Sequence, residues 1–418
     1  MLAVVDCNAF YCNCERLFRP DLKNIPVVVL SNNDGCVISR TPEAKKFNIP
    51  MGAPYHHIQK LCKENKISVF SANFSLYTNL STRVMNVLRE IAPKVEVYSV
   101  DEAFLDLSGI SNLYQEGQRI KAEVERRVGI PVSIGIAPTK TLCKMAVEMA
   151  KKNEKDGVVC LETTQDIIQR LKSMPVSDVW GIGYGRQVRL QSMNIKTALD
   201  LRNYQNRHLL RRNMTKLGEQ IQDELCGIQC FAFGERTEKK KSIMSTRTFA
   251  RMSYDKYVVS QALATHASDV AEELRMQGSV CKKITIMIRS NPFQENLPQY
   301  NASLSANLFT PTSNTFIFIA TVLELLDEVW QEGYAIQKAG VFVSDLQDED
   351  EYEVDLFAPL EDPRQESLMK TMDIINYKEG PRMVRSLACG TDNQAWAMKQ
   401  RMLSPRYTTS WNDLPIVR

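Results

Sequence analysis

The chain has 418 residues, 44% of them hydrophobic and 24% charged, with a formal net charge of +3. These are ordinary globular proportions that exclude global disorder, and the length suits about two to four domains rather than one core. No apolar run approaches the roughly 20 residues of a membrane span, and the chain opens directly into a strand without a charged leader, so a cytoplasmic protein with no membrane partner is expected.

Residues 2–6, Leu-Ala-Val-Val-Asp, predict a buried strand that ends on a carboxylate, and residues 26–30 predict another. Between them a short helical piece carries Phe10, Tyr11, Glu15 and Arg16. Leu80, Val84, Val87, Leu88 and Ile91 recur at helical spacing over 78–91, and Pro93 stops that helix. Strands over 95–100 and 103–107 then form a hairpin with Asp101 and Glu102 near its tip. An amphipathic helix over 115–128 leads into residues 132–136, Val-Ser-Ile-Gly-Ile, where large side chains alternate with small. Strand, helix, hairpin, helix, strand is the order of a split ferredoxin-like unit, an antiparallel sheet backed by helices. Such a sheet brings Asp6 beside the hairpin tip.

Carboxylates at the ends of buried strands are costly unless something cationic meets them. A hard divalent ion such as Mg²⁺ takes carboxylate and backbone oxygens, and a pair of such ions is a standard device for nucleotidyl transfer. An Asp-Glu pair alone is usually a polar turn; Asp6 is what points to a metal site. By contrast, Cys12, Cys14, Cys226 and Cys230 form no zinc pattern with the four histidines, and the eleven cysteines are expected to be reduced packing thiols.

Residues 166–235 predict an all-helical unit with Val-Trp-Gly-Ile-Gly at 179–183. Gly181 and Gly183 allow a tight turn whose backbone N–H groups approach a ligand closely, and Arg186 and Arg189 follow, a means of holding a DNA phosphate without reading sequence. Basic clusters at Arg202, Arg207, Arg211, Arg212 and Lys216, and at Arg236 and Lys239 to Lys241, suit a polyanion. Residues 243–344 predict strand, helix, strand, strand, helix, strand, in which Ile284, Ile286 and Ile288 alternate with Thr285 and Arg289. Helices over 258–277 and 314–332 would cover the apolar face, leaving Arg247 and Arg289 on an exposed face suited to phosphate contacts. From 345 onward the composition turns acidic and proline-punctuated, which predicts disorder or a partner-binding tail. Leu356 and Phe357 stand in it as an apolar anchor pair.

Five segments carry a resemblance to the Y-family translesion DNA polymerases: residues 6–11 (Asp-Cys-Asn-Ala-Phe-Tyr), 31–38 (Ser-Asn-Asn-Asp-Gly-Cys-Val-Ile), 98–104 (Tyr-Ser-Val-Asp-Glu-Ala-Phe), 179–183 and 402–409 (Met-Leu-Ser-Pro-Arg-Tyr-Thr-Thr). The second and the last place the chain in the UmuC branch rather than the DinB branch. The resemblance spans essentially the whole chain. It implies an α+β multidomain, right-handed polymerase: a ferredoxin-like palm at 1–10 and 75–165, small fingers at 11–74, a helical thumb with a helix-hairpin-helix at 166–235, an α/β little finger at 243–344, and a partner-binding tail at 345–418.

By position within the motifs, Asp6, Asp101 and Glu102 would be the catalytic, metal-binding carboxylates, with the Cys7 backbone carbonyl on the nucleotide-side ion of two Mg²⁺. Asp106, on the same hairpin, would be structural. Tyr11 falls at the steric gate against a ribose 2′-hydroxyl, with Phe10 packed beside it. The dNTP triphosphate would meet the Tyr11 backbone N–H, Lys45 and Lys151. Lys45 replaces an arginine common in the family, which makes it a point charge rather than a bidentate grip, and Pro42 replaces an aromatic or polar residue. Fingers of about 60 residues are too few to enclose the nascent base pair, which implies error-prone synthesis. Gly181, Gly183, Arg186, Arg247 and Arg289 would contact primer-template DNA, including damaged template. Leu356 and Phe357 sit where relatives carry a sliding-clamp peptide, with Glu353 in place of its leading glutamine. Expected partners are a UmuD-type processed dimer, RecA and the clamp, in the cytoplasm and at the nucleoid during the SOS response. Rival readings are a catalytically silent DNA-binding scaffold and a nucleotide cyclase with a similar palm.

Overall fold

Alternate side chains of the first strand are buried on opposite faces, and this single fact sets the layering of the amino-terminal half. In the computed structural model, residues 1–153, 156–234, 239–351, 362–391 and 394–414 are described. The chain divides into two units, residues 1–236 with 401–418, and residues 237–400.

In the first unit β1 (Leu2–Cys7) is followed by α1 (Phe10–Leu17), β2 (Val27–Leu30), β3 (Val37–Arg40), α2 (Pro42–Lys45), α3 (Tyr55–Glu64), β4 (Ser68–Ser71), α4 (Phe74–Ile91), β5 (Lys94–Val97), β6 (Glu102–Asp106), α5 (Leu113–Val128), β7 (Val132–Ala137), α6 (Lys140–Asn153) and β8 (Val158–Cys160). Four short to medium helices complete it: α7 (Thr164–Ser173), α8 (Tyr184–Ser192), α9 (Ala198–Arg202) and α10 (Arg207–Leu225). The main sheet has the order β5-β6-β1-β7-β8, antiparallel except for the β7 and β8 pair. Ala3, Val5 and Cys7 face the core shared with α4 and α5, whereas Leu2 and Val4 face the one shared with α6 and the later helices. A period of two with both faces apolar is what a strand buried on both sides requires.

The alternation of large and small residues in β7 has a matching cause. Ile134 and Ile136 fill the α5 side, while a Cβ on Gly135 would come within 2.3 Å of the Val147 nitrogen and 2.4 Å of the Cys143 oxygen of α6. Only glycine lets α6 lie that close to the sheet. A smaller sheet, β3-β2-β4, has β2 and β4 parallel and its own apolar cluster under α2 and α3.

The expected strand over 95–100 is shorter than its apolar pattern suggests. It stops at Val97, because the N–H groups of Tyr98 and Ser99 both turn to the Glu102 carbonyl at 3.0 and 3.1 Å. Asp101 therefore sits on a turn and Glu102 begins β6.

The second unit runs β9 (Ile243–Ser253), α11 (Lys256–Gln277), β10 (Ser279–Arg289), β11 (Asn301–Thr312), α12 (Thr315–Val329), β12 (Ile336–Asp348) and α13 (Pro363–Glu379). The first six elements have the predicted order. They form an antiparallel sheet β11-β10-β12-β9 with α11 and α12 packed on the face that carries Ile284, Ile286 and Ile288. On the other face Thr285 pairs with Ser305 through their hydroxyls at 2.8 Å, and Arg289 stands opposite Asn301 and Lys338.

Arg247 departs from expectation. On β9 it shares a parity with the buried Ile243 and Phe249 and stands opposite the buried Ala339, so it points toward the helices and not onto the open face. Its guanidinium lies 5.9 Å from the centre of the buried Trp396 ring. Arg247 precedes a register shift in β9, and a lone arginine in an alternating run carries no mark of which face it takes.

The tail also departs from the disorder its composition suggested. The acidic run ends at residue 362; beyond it α13 forms, Met369, Cys389 and Trp396 are buried, and residues 401–414 return to the first unit. Thinly spaced apolar residues that pack on an existing core leave little compositional signal. Leu356 and Phe357 lie outside the described residues.

His266 of α11 yields a pH prediction. It is 1% exposed, its Nδ1 is 2.8 Å from the Ser245 hydroxyl, its Nε2 has no hydrogen-bond partner among the described residues, and Arg247, Arg382 and Asp269 are its charged neighbours. Burial first, then the two arginines, pushes its pKa down to about 3. The unfolded chain therefore binds a proton near pH 6.5 that the folded chain refuses. This part of the stability is complete above pH 6.5 and is lost as pH falls toward 3, by about 1.4 kcal/mol per unit. Urea unfolding at pH 7 and 5 should show a smaller stability difference for His266→Gln than for the wild type.

Candidate active site

Asp6 and Glu102 stand directly opposite each other across β1 and β6, and the Asp101 carbonyl accepts the Cys7 N–H at 2.9 Å. The end of the central strand and the hairpin turn are thereby joined, as the sequence pattern predicted. Asp6 is only 5% exposed. Two lysines of α6 meet the pair: Lys151 Nζ is 2.7 Å from Asp6 Oδ2, and Lys144 forms an ion pair with Glu102.

Burial, followed by the hydrogen bond with Glu102, pushes Asp6 up to about 8 against the pull of Lys151. Burial also works against Glu102, but hydrogen bonds from Asp6 and Lys144 outweigh it and hold Glu102 below its ordinary value. Like charges this close raise each other's cost of ionisation unless more positive charge arrives.

Asp101 lies one residue away with its Oδ1 2.6 Å from the Ser99 hydroxyl. Among the described residues no three metal-type side chains converge closely enough to hold an ion. The donor chemistry nevertheless fits: three carboxylates and a backbone carbonyl are hard oxygen ligands, and the upward push of burial on the Asp6 carboxyl is what a bound cation would offset. Asp106 pairs with Leu2 at the opposite end of the same strands and caps Ser108 at 3.0 Å, so it is remote from the cluster.

Tyr11, on α1, stacks on Tyr77 of α4 at 4.5 Å between ring centres, with Phe74 edge-on at 6.1 Å and Phe10 at 5.8 Å. Burial and the Asp101 charge raise the pKa of its hydroxyl, which ties it electrostatically to the carboxylate cluster. Lys45 is exposed at the end of α2, beside the Arg16 and Glu43 ion pair of 2.8 Å. Gly181 has φ +88°, and a Cβ there would meet Ile221 at 2.9 Å; the Gly183 residue precedes α8, and Arg186 donates to the Gly181 carbonyl at 2.7 Å.

Sequence reasoning missed Lys140, Lys144, Ser99 and the pair of Glu15 with Tyr77. The lysines had a signal. Lys140, Lys144 and Lys151 recur at four and seven residues on a helix, which sets all three on one face. Lys144 also lies 4.5 Å from the centre of the Tyr98 ring, so it braces both the turn and Glu102.

Residues 5–148 match the impB/mucB/samB family and residues 240–356 its C-terminal domain, while residues 366–417 match a domain of unknown function. The chain is 40% identical to the protein UmuC of Salmonella typhimurium strain LT2, covering 99% of each chain, and 39% identical to the protein ImpB of Salmonella typhimurium, covering 100% of each. Among solved structures, a Y-family DNA polymerase chimera of Dbh and Dpo4 superposes with a TM-score of 0.63 at 20% identity, over 83% of this chain and 100% of that one. The chain belongs to the impB/mucB/samB family, with UmuC among its relatives, and has the fold of a Y-family DNA polymerase.

Proposed function

We propose that the chain is an error-prone, template-directed DNA polymerase that extends primers past damaged bases in the SOS response. The observation that carries this reading is the buried Asp6 and Glu102 pair at the end of the central strand, with Asp101 beside it, in a chain of this family and fold. The proposed division keeps the palm at 1–10 and 75–165, fingers at 11–74, thumb at 166–235, little finger at 243–344 and a partner-binding tail from 345, whose residues from 401 onward belong to the first unit.

Asp6, Asp101, Glu102 and the Cys7 carbonyl would hold two Mg²⁺, which supply Lewis acidity toward the primer 3′-hydroxyl and the dNTP phosphates. Lys151, 2.7 Å from Asp6, is placed to turn to the triphosphate. Lys144 keeps Glu102 ionised and oriented. Lys45 offers a mobile charge to the same phosphates. No protein nucleophile is needed. Gly181, Gly183 and Arg186 would hold the DNA backbone at the helical hairpin, and Arg289 would do so from the open sheet face with its Ser, Thr and Asn neighbours. A UmuD-type processed dimer, RecA and the sliding clamp are the proposed partners, in the cytoplasm and at the nucleoid.

Primer extension past a template abasic site, with Mg²⁺ and dNTPs and with and without activated partners, tests the reading. Bypass supports it; no extension under any condition, with DNA binding intact, would support a scaffold.

Tyr11→Ala removes the ring proposed to clash with a ribose 2′-hydroxyl. Ribonucleotide incorporation relative to deoxynucleotide should rise several-fold or more, measured in single-nucleotide insertion. The double replacement of Leu356 and Phe357 by alanine should weaken clamp binding in a titration while unassisted extension stays intact; equal clamp affinity would remove that assignment.

A further inference from the structure

The region matched only as a domain of unknown function ends in a segment that packs on the first unit. Met402 is bonded through both sides of its backbone to Ser71 at the end of β4: its N–H reaches Ser71 Oγ at 3.0 Å and its carbonyl accepts the Ser71 N–H at 3.0 Å. The Arg401 N–H donates to Asp34 Oδ2 at 2.9 Å, and Ser71 Oγ donates to Asp34 Oδ1 at 2.5 Å. Further on, Tyr407 is buried and stacks on Phe18 at 4.6 Å. A segment with these contacts is a built part of the fold.

Ser404 lies between these anchors. It is 5% exposed, and its hydroxyl accepts the Asn73 side-chain amide at 3.0 Å. Asn73 in turn starts α4: its side-chain oxygen accepts the Leu76 N–H at 3.2 Å and its carbonyl accepts the Tyr77 N–H at 3.1 Å. The Tyr77 hydroxyl donates at 2.6 Å to Glu15, which has no exposed surface. Tyr77 is the ring on which Tyr11 stacks. A buried polar group is oriented by the few partners that reach it.

We propose that residues 401–407 are a clasp whose Ser404, acting through Asn73 and Tyr77, positions the Tyr11 ring and so sets sugar selectivity. This rests on the reading of Tyr11 as the gate. Ser404 and Tyr77 are positioning residues: neither needs to touch the nucleotide. A steric gate works by contact distance, so a ring whose stacking partner has lost its anchor discriminates less.

The experiment is single-nucleotide insertion by the full-length chain, under conditions where the wild type extends a primer, with paired dNTP and rNTP titrations. The ratio of the two efficiencies in one preparation cancels the active fraction, so partial misfolding does not move it. Ser404→Ala and Tyr77→Phe are each expected to raise rNTP use relative to dNTP by about three- to tenfold, the scale of one hydrogen bond. The double variant should exceed neither single variant by much, because both act on the placement of the Tyr77 ring. A raised ratio in Tyr11→Ala with wild-type ratios in Ser404→Ala and Tyr77→Phe would overturn the clasp proposal alone. An unchanged ratio in Tyr11→Ala would overturn the gate reading, and the proposal with it.

Discussion

Asp101→Ala is expected to lower primer extension by at least about a thousandfold, a loss of several kcal/mol of transition-state stabilisation, with DNA binding unchanged. Asp101 is the most informative of the three carboxylates to remove. Asp6 and Glu102 each balance a lysine, through Lys151 and Lys144, and their loss would strand a partly buried ammonium and disturb the sheet end as well as the chemistry. Asp101 sits on the turn, and its side chain is bonded to Ser99, a neighbour two residues away. Its backbone carbonyl, not its carboxylate, ties the turn to Cys7. Alanine therefore keeps the fold and deletes a ligand. Gel-shift titration on primer-template DNA alongside extension separates the outcomes. Extension lost with binding retained would exclude the scaffold reading, whereas extension within tenfold of wild type would remove Asp101 from the catalytic set.

Much of this arrangement was legible because its signals are local. The continuous apolar run of residues 2–5 ending on Asp6, with the Asp-Glu pair at 101–102, predicted a strand end beside a hairpin tip, and Asp6 does stand opposite Glu102. The alternation at 132–136 predicted a face of small residues, which α6 occupies. Arg247 was misread because alternation reports two faces without saying which is the core when both carry polar residues; Ser245 and Arg247 point inward with Ile243 and Phe249. The clasp was illegible for another reason. Ser404 meets Asn73 across 331 positions, and no propensity or spacing couples residues so far apart. Glu15, read only as part of a short helix, is buried because α4 and the carboxy-terminal segment close over it.

Lys140 is where local rules and the fold conflict most, and its removal should have the largest effect on stability. A lysine at the first position of a helix opposes the helix dipole. Here Glu224, fully buried, answers it by accepting the Thr141 N–H at 2.9 Å and the Cys230 N–H at 2.7 Å. The ammonium itself is drawn away from the helix axis: Lys140 Nζ lies 2.7 and 2.8 Å from the two Glu96 oxygens and 2.6 Å from the Ala232 carbonyl, over the Phe104 and Phe233 rings. Glu96 also accepts the Gly234 N–H at 2.8 Å, so one ion pair joins β5, α6 and the segment after α10. Breaking a buried pair from one side leaves the other charge uncompensated at a cost of about 3–5 kcal/mol. The Glu96 side chain keeps 20% of its exposure, which favours the lower end of that range. Lys140→Ala should therefore destabilise the first unit by about 3 kcal/mol in urea unfolding. Adding Glu96→Ala should recover part of that loss, because the stranded charge goes with it. Equal stability of Lys140→Ala and wild type would mean that water already screens Glu96, and that packing alone holds the segment after α10 against the sheet.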